Sequence, residues 1–481
     1  MALTRVRDLC FMGLPKIIQG GMGVGVSNWK LAQAVSATGQ LGVVSGTALD
    51  QVLARRLQDG DPDGDSRRAL DQFPIPAMAE RVRKQFYIAG GKAADASYAK
   101  LPLHEKDNPR ELQELCIVAN FVEVFLAREG HSNAVGINYL EKIQIPHLPS
   151  IYGAMLAGVD YVLMGAGIPT RLPGILDAFA EHKAATYPLH VVGAAPEDDN
   201  TMTFDPREFL DRELAPLKRP MCIPIIASNT LAATLVKRAN GRVDGFIIEG
   251  PTAGGHNAPP RGKLQLNADG EPIYGDRDVV DLAKMRELGL PFWLAGGYGS
   301  AERVREAEAA GAAGVQVGTA FALCEESGLR REYKDALIGK AVSGDLKVKT
   351  DALASPTGFP FKVAQLDGTL SADDDYTRRA RICDLGYLRE AFRTADGATD
   401  YRCAGEPVTL YQSKGGSAEE AAGRKCLCNA LMSNIGLAQV RAGKHVEKGL
   451  ITAGDDVGGV VRFLRPDGAY AAADVIAALL G

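Results

Sequence analysis

The chain has 481 residues, 46% hydrophobic and 23% charged, with a formal net charge of -5. That length exceeds one compact core and predicts a large domain accompanied by a smaller one or by long insertions. The ordinary globular composition and mild acidity exclude a global attraction to nucleic acid or to an anionic membrane surface.

The N-terminal MALTRVRDLCFMGLPKIIQGG lacks the continuous apolar core of a signal peptide, and no run of about twenty apolar residues follows that would span a bilayer. The expectation is a cytoplasmic protein. Short apolar runs then recur along the chain: KIIQ (16–19), LGVVS (41–45), AVGIN (134–138), DYVLM (160–164), IPIIA (223–227), GFIIE (245–249), PFWLA (291–295) and GVQVG (314–318). Most run into glycine or a small polar residue and then into helix-like Ala, Leu, Glu and Arg. Eight such units over about 320 residues predict an α/β fold, a (β/α)8 TIM barrel, rather than an open doubly wound sheet. A ninth candidate, PLHVVGA (188–194), is assigned to an insertion before the fifth strand.

Between the second and third strands an insertion at about 50–132 carries DGDPDGDSRR, which reads as solvated, and ELQELCIVANFVEVFLAREG, which reads as helical. It is expected to form a cap or an oligomer contact. Beyond residue 330 the βα rhythm stops, so the division expected is 1–330 for the barrel and 331–481 for a C-terminal module ending in the helix AAADVIAALLG.

In a parallel barrel, chemistry sits at the C-terminal ends of the strands. Glycines gather at those ends here. QGGMGVGVS (19–27) follows the first strand and leaves the backbone bare for a flat ring. Asn138, ending AVGIN, offers a donor and an acceptor, or serves as a turn residue. AGGYGS (295–300) follows the seventh strand, with Ser300 placed to cap a helix, and Gly318-Thr319 ends the eighth. Together the last two loops make a candidate phosphate cradle. His256 ends AGGH (253–256) on the loop after the sixth strand, where a neutral imidazole accepts a proton near neutral pH.

Eight cysteines in a chain of this size do not read as a disulfide scaffold. Cys10, Cys116, Cys222 and Cys324 are scattered, whereas Cys383, Cys403, Cys426 and Cys428 cluster near the C-terminus. Four thiolates there would suit structural zinc or an iron–sulfur cluster. The spacing lacks CxxC, and buried free thiols or a redox disulfide are the competing readings.

The ordered set IIQGGMGVGVS, GIN, AGGH, AGGYGSAERVREAEAAGAAGVQVGTAF and SPTGFPFKV, covering about residues 13–365, resembles the nitronate monooxygenase (2-nitropropane dioxygenase) family of FMN-dependent TIM barrels. That family also includes flavin-dependent enoyl-acyl carrier protein reductases. The resemblance implies FMN, with Gln19, Gly20, Gly21, Met22 and Asn138 near the ring. It places Gly254, Gly255, Gly296, Gly297, Gly318 and Thr319 around the phosphate side, and His256 beside the flavin in proton handling or substrate orientation. One departure matters: the family usually carries Glu before Ala-Gly-Gly-His, and here Thr252 stands there, with Glu249 the nearest carboxylate.

The expected function is oxidation of a nitronate-like carbanion by dioxygen. The alternatives are an NAD(P)H-dependent reductase of an enoyl thioester or other activated alkene, and a non-catalytic FMN-binding or scaffold subunit. The substrate is expected to be a small molecule, with Arg261 and Lys263 suited to an anionic one, and the chain is a candidate homo-oligomer.

Overall fold

The computed structural model describes residues 13–441 and 445–481. Cys10 and most of the N-terminal stretch lie outside it. Eight parallel strands form one sheet: β1 Ile17–Gln19, β2 Gly42–Ser45, β3 Val135–Leu140, β4 Tyr161–Gly165, β5 Met221–Ile226, β6 Phe246–Glu249, β7 Phe292–Ala295 and β8 Gly314–Val317. Each pairs with its sequence neighbour from β2 through β8, and β8 pairs back onto β1. A parallel bridge from Ile18 to Leu41, with Gln19 N–H donating to Leu41 O at 2.9 Å, closes the ring between β1 and β2. The eight strands expected from the sequence are these eight.

Ile18, Val43, Leu163, Ile223, Ile247 and Trp293 fill the barrel interior and are fully shielded from solvent. Trp293 seals one end, its indole N–H donating to Pro15 O at 2.8 Å. These strands are buried on both faces, which is why they read as unbroken apolar runs.

The surrounding helices are α1 Trp29–Ala37, α2 Arg110–Arg128, α3 His147–Leu156, α4 Leu172–Ala180, α5 Asn229–Arg238, α6 Leu282–Glu287, α7 Ala301–Ala309 and α8 Ala472–Leu480. Side-chain caps start four of them, with Asp281 accepting from Ala283 N and Lys284 N at α6. Asn28 accepts from Leu31 N, Ser228 from Leu231 N, and Ser300 from Arg303 N. The C-terminal helix α8 packs between α1 and α7, burying Val475, Ile476 and Leu479. It completes the helical ring, so about 150 residues are inserted between β8 and the helix that follows it.

That insertion lies over the strand ends. An antiparallel hairpin, Val348–Asp351 with Phe361–Ala364, bridges Phe361 to His256, and Lys362 N donates to Gly255 O at 2.9 Å. The 188–194 stretch is not a barrel strand: Pro188 ends the strand Ala185–Pro188, which pairs with Thr201–Phe204, and Val191–Val192 pairs with Glu390–Arg393.

The 50–132 insertion is corrected in two respects. DGDPDGDSRR is not simply solvated: Asp61 is buried and accepts from Ser66 N and Arg67 N at 3.0 and 2.9 Å, starting the helix Asp65–Leu70. The long apolar helix is α2 itself, part of the barrel wall, packed against α1 and α3. The extended segment before it docks on the C-terminal insertion, Tyr98 N donating to Gln439 Oε1 at 2.7 Å. Among the described residues no helix is long and apolar enough to cross a membrane.

Candidate active site

The ends of β1, β3, β6, β7 and β8 open into one cavity of about 560 Å³, within the ~300–1,000 Å³ range of small-molecule sites. Gly20, Gly21, Met22, Asn138, Gly254, Gly255, His256, Gly296, Gly297, Gly318 and Thr319 all line it. Gln19 does not. It is wholly buried and organises the first loop instead: its Oε1 accepts from Val43 N at 3.0 Å, and its Nε2 donates to Ser27 Oγ at 2.8 Å and to Gly20 O.

Two of the glycines are required by close approach. A Cβ on Gly21 would lie 2.4 Å from Asn138 Cβ, and one on Gly296, where φ is +91°, would lie 2.8 Å from Thr252 Oγ1. The wall also carries two buried side-chain oxygens without a hydrogen-bond partner, Gln316 Oε1 and Asn257 Oδ1. Neither was legible as a site residue, although Gln316 interrupts the apolar run GVQV in β8.

These features fit a flavin mononucleotide. Bare strand ends admit a planar ring, orphaned acceptors suit a ligand bearing N–H or O–H donors, and the start of α7 beside Gly296 and Gly297 suits a phosphate. Part of the expected cradle is already engaged by the chain itself. Gly255 N donates to Thr452 Oγ1 at 2.6 Å, and Gly454 N donates to Thr319 Oγ1 at 2.9 Å. That leaves Gly296, Gly297, Gly318 and the start of α7 as the groups that would hold a phosphate.

His256 is fixed from two sides. Its Nε2 hydrogen-bonds Ser355 Oγ at 2.8 Å, and its ring meets Phe361 edge-on with centroids 4.8 Å apart. Burial holds its pKa well below the usual imidazole value, and the charge of Lys142 adds to the shift, so the ring is neutral at physiological pH. Beside it on the cavity wall, burial pushes Glu249 up to about 7 against the pull of Lys142. Arg261 also lines the cavity, whereas Lys263 lies outside it.

The four clustered cysteines lie in the C-terminal insertion as free thiols, and among the described residues they do not form a group with ligand atoms all within 4.8 Å of one another as the expected metal site would. Cys383 hydrogen-bonds Cys403, which holds Cys383 below the ordinary thiol range against its burial and drives Cys403 well above it. Gly405 N donates to Cys403 Sγ and Asn429 Nδ2 to Cys426 Sγ, both at 3.4 Å. Elsewhere, Asp50, His104 and Cys116 bring ligand-type atoms within 4.8 Å of one another. There His104 Nε2 is already hydrogen-bonded to Asp50 Oδ2 at 3.0 Å, and Tyr387 donates to Asp50 Oδ1 at 2.5 Å.

Residues 204–355 match the family model for nitronate monooxygenase. Over 143 residues the chain is 34% identical to a nitronate monooxygenase of Pseudomonas aeruginosa, covering 29% of this chain and 37% of that protein. Over 151 residues it is 32% identical to a probable nitronate monooxygenase of Bacillus subtilis, covering 31% and 40% respectively. These matches span well under half the length of either relative. The solved structure of FabK from Thermotoga maritima superposes with a TM-score of 0.49 at 17% identity, covering 99% of this chain and 94% of that one. The stretch 204–355, which holds β5 to β8 and the Ala-Gly-Gly-His loop, is thus the part of the chain that is similar to the nitronate monooxygenase family.

Proposed function

We propose that this chain is an FMN-dependent oxidoreductase that oxidises a nitronate-like carbanion. The observation that carries the reading is His256, neutral and anchored through Nε2, on the wall of a glycine-edged cavity that fits a flavin. When bound, FMN supplies two-electron redox chemistry and reoxidation by dioxygen. The residues of the chain do the rest. The strand-end glycines and Asn138 shape a ring-sized slot, and the 354–363 segment closes over it. The anchored ring leaves Nδ1 of His256 to orient the substrate or to take its proton.

A second reading, reduction of an activated alkene, is favoured by one observation. Glu249, at about 7, still holds a proton below neutrality and supplies the acid such a reduction needs. Anaerobic visible spectra separate the two. Flavin bleaching by a nitronate, reversed on admitting air, supports the first reading. Bleaching by NADH or NADPH, with none by nitronate, supports the second and overturns the first.

A further inference from the structure

Behind His256 a line of polar groups leaves the cavity wall. Ser355, completely buried, hydrogen-bonds His256 Nε2 at 2.8 Å and Thr357 Oγ1 at 2.8 Å. Lys142 Nζ donates to the same Thr357 Oγ1 at 3.4 Å and lies 4.3 Å from the ring centroid of Phe359. The run is therefore continuous from the imidazole to an amine. Lys142 leaves the C-terminal end of β3, while Ser355, Thr357 and Phe359 come from the C-terminal insertion, so the line exists only where that insertion covers the barrel.

We propose that Lys142 is the proton acceptor at the end of this line, letting the site deprotonate a neutral carbon acid, such as a nitroalkane, instead of depending on a preformed anion. This rests on the reading that His256 faces substrate beside a flavin, and it names the substrate class of that site. The proton leaves the substrate carbon for His256 Nδ1. The Nε2 proton passes to Ser355 Oγ, the Ser355 proton to Thr357 Oγ1, and the Thr357 proton to the lone pair of Lys142 Nζ. The carbanion keeps the C–H electron pair, and Lys142 becomes an ammonium.

The charges facing Lys142 suit this task. Burial brings the amine down to about 7, with Glu249 and Glu141 opposing the shift. Glu141 is itself held by Gln144 Nε2 at 2.9 Å and Tyr187 OH at 3.2 Å. Glu249 supplies the nearby carboxylate that Thr252 cannot. Above about 7 Lys142 is a free base and Glu249 a carboxylate, and an arriving proton creates an ion pair. A lysine is useful as a base only when its pKa is lowered in this way.

Acting through His256, Lys142 is a positioning residue, and its test has two parts. Turnover of a neutral nitroalkane and of its preformed nitronate is compared in wild type, Lys142→Met and Lys142→Arg. The arginine variant keeps the charge but cannot accept a proton. The expected result is a neutral-to-nitronate turnover ratio at least about tenfold lower in both variants. The wild-type ratio rises with pH through about 7, and that limb is lost in the variants. An unchanged ratio overturns the proposal. Independently of any flavin, 13Cε-lysine NMR of the protein as purified, with the resonance identified by its absence in Lys142→Met, should show an amine titrating near 7. Titration in the usual lysine range overturns the relay even where the redox reading holds. A lysine titrating near 7 in a protein whose flavin no nitronate bleaches overturns the redox reading alone.

Discussion

In the proposed reaction His256 would carry the proton chemistry, because Nε2 is tied to Ser355 and Nδ1 would be left for the substrate. Replacing it with Ala is predicted to lower turnover about 10²- to 10⁴-fold while bound FMN stays stoichiometric. Steady-state rates and flavin content on one preparation check this, and full turnover in the variant removes His256 from the reaction. Cys383 has a separate signature. With Cys403 hydrogen-bonded to it, it ionises below its three neighbours and is only partly buried. Mass spectrometry after brief iodoacetamide treatment below pH 8 should find Cys383 alkylated first of the four. His256 was legible because the sequence sets it among glycines after a strand. Lys142 was not, since EKIQ reads as an ordinary polar turn. Its one signal is position, two residues past the C-terminal end of β3, where a barrel keeps its reactive groups.

At the scale of elements, Asp50 joins three pieces distant in sequence. It lies in the first turn of the helix Leu49–Gln58, accepts from Tyr387 in the C-terminal insertion, and holds His104 of the segment before α2. Burial alone would raise its pKa, but the His104 and Tyr387 contacts outweigh that and lower it. A depressed carboxylate pKa gives stability that is present above the unfolded value, near 3.9, and lost as pH falls through the folded one. Asp50→Ala is predicted to cost about 3 kcal/mol at pH 7, read from denaturant midpoints, with the difference from wild type shrinking below about pH 4. The helix α8 makes a second test. Leu479 is 1% exposed, so Leu479→Ala should cost about 3 kcal/mol, whereas a loosely attached tail would lose almost nothing. The final helix was legible from its apolar spacing, but its place in the ring was not. Periodicity names the buried face of a helix and says nothing of the partner, and here the insertion separates α8 from its strand.

Over the whole molecule, the sequence discloses the barrel and hides the way its mouth is finished. Strands buried on both faces leave a local signature, so all eight were placed within a few residues. The contacts from Thr452 and Gly454 to the Gly255 and Thr319 loops join segments more than 130 residues apart, and no local pattern reports them. Gln19, read as a cofactor contact, is instead the strut of the loop after β1, tied to Ser27 and Val43. The central claim is that the cavity at the strand ends is a flavin mononucleotide site. Gly318 suits the test, since an added Cβ there meets only the flexible Met22 side chain, Sδ at 3.4 Å and Cγ at 3.7 Å, and its φ of −107° is open to any residue. FMN fluorescence titration of flavin-stripped wild type and Gly318→Val is the direct measurement. The account predicts saturable one-to-one quenching by the wild type and at least about tenfold weaker binding by a variant that melts at the same temperature. No binding by the wild type, or equal binding by the variant, would contradict it.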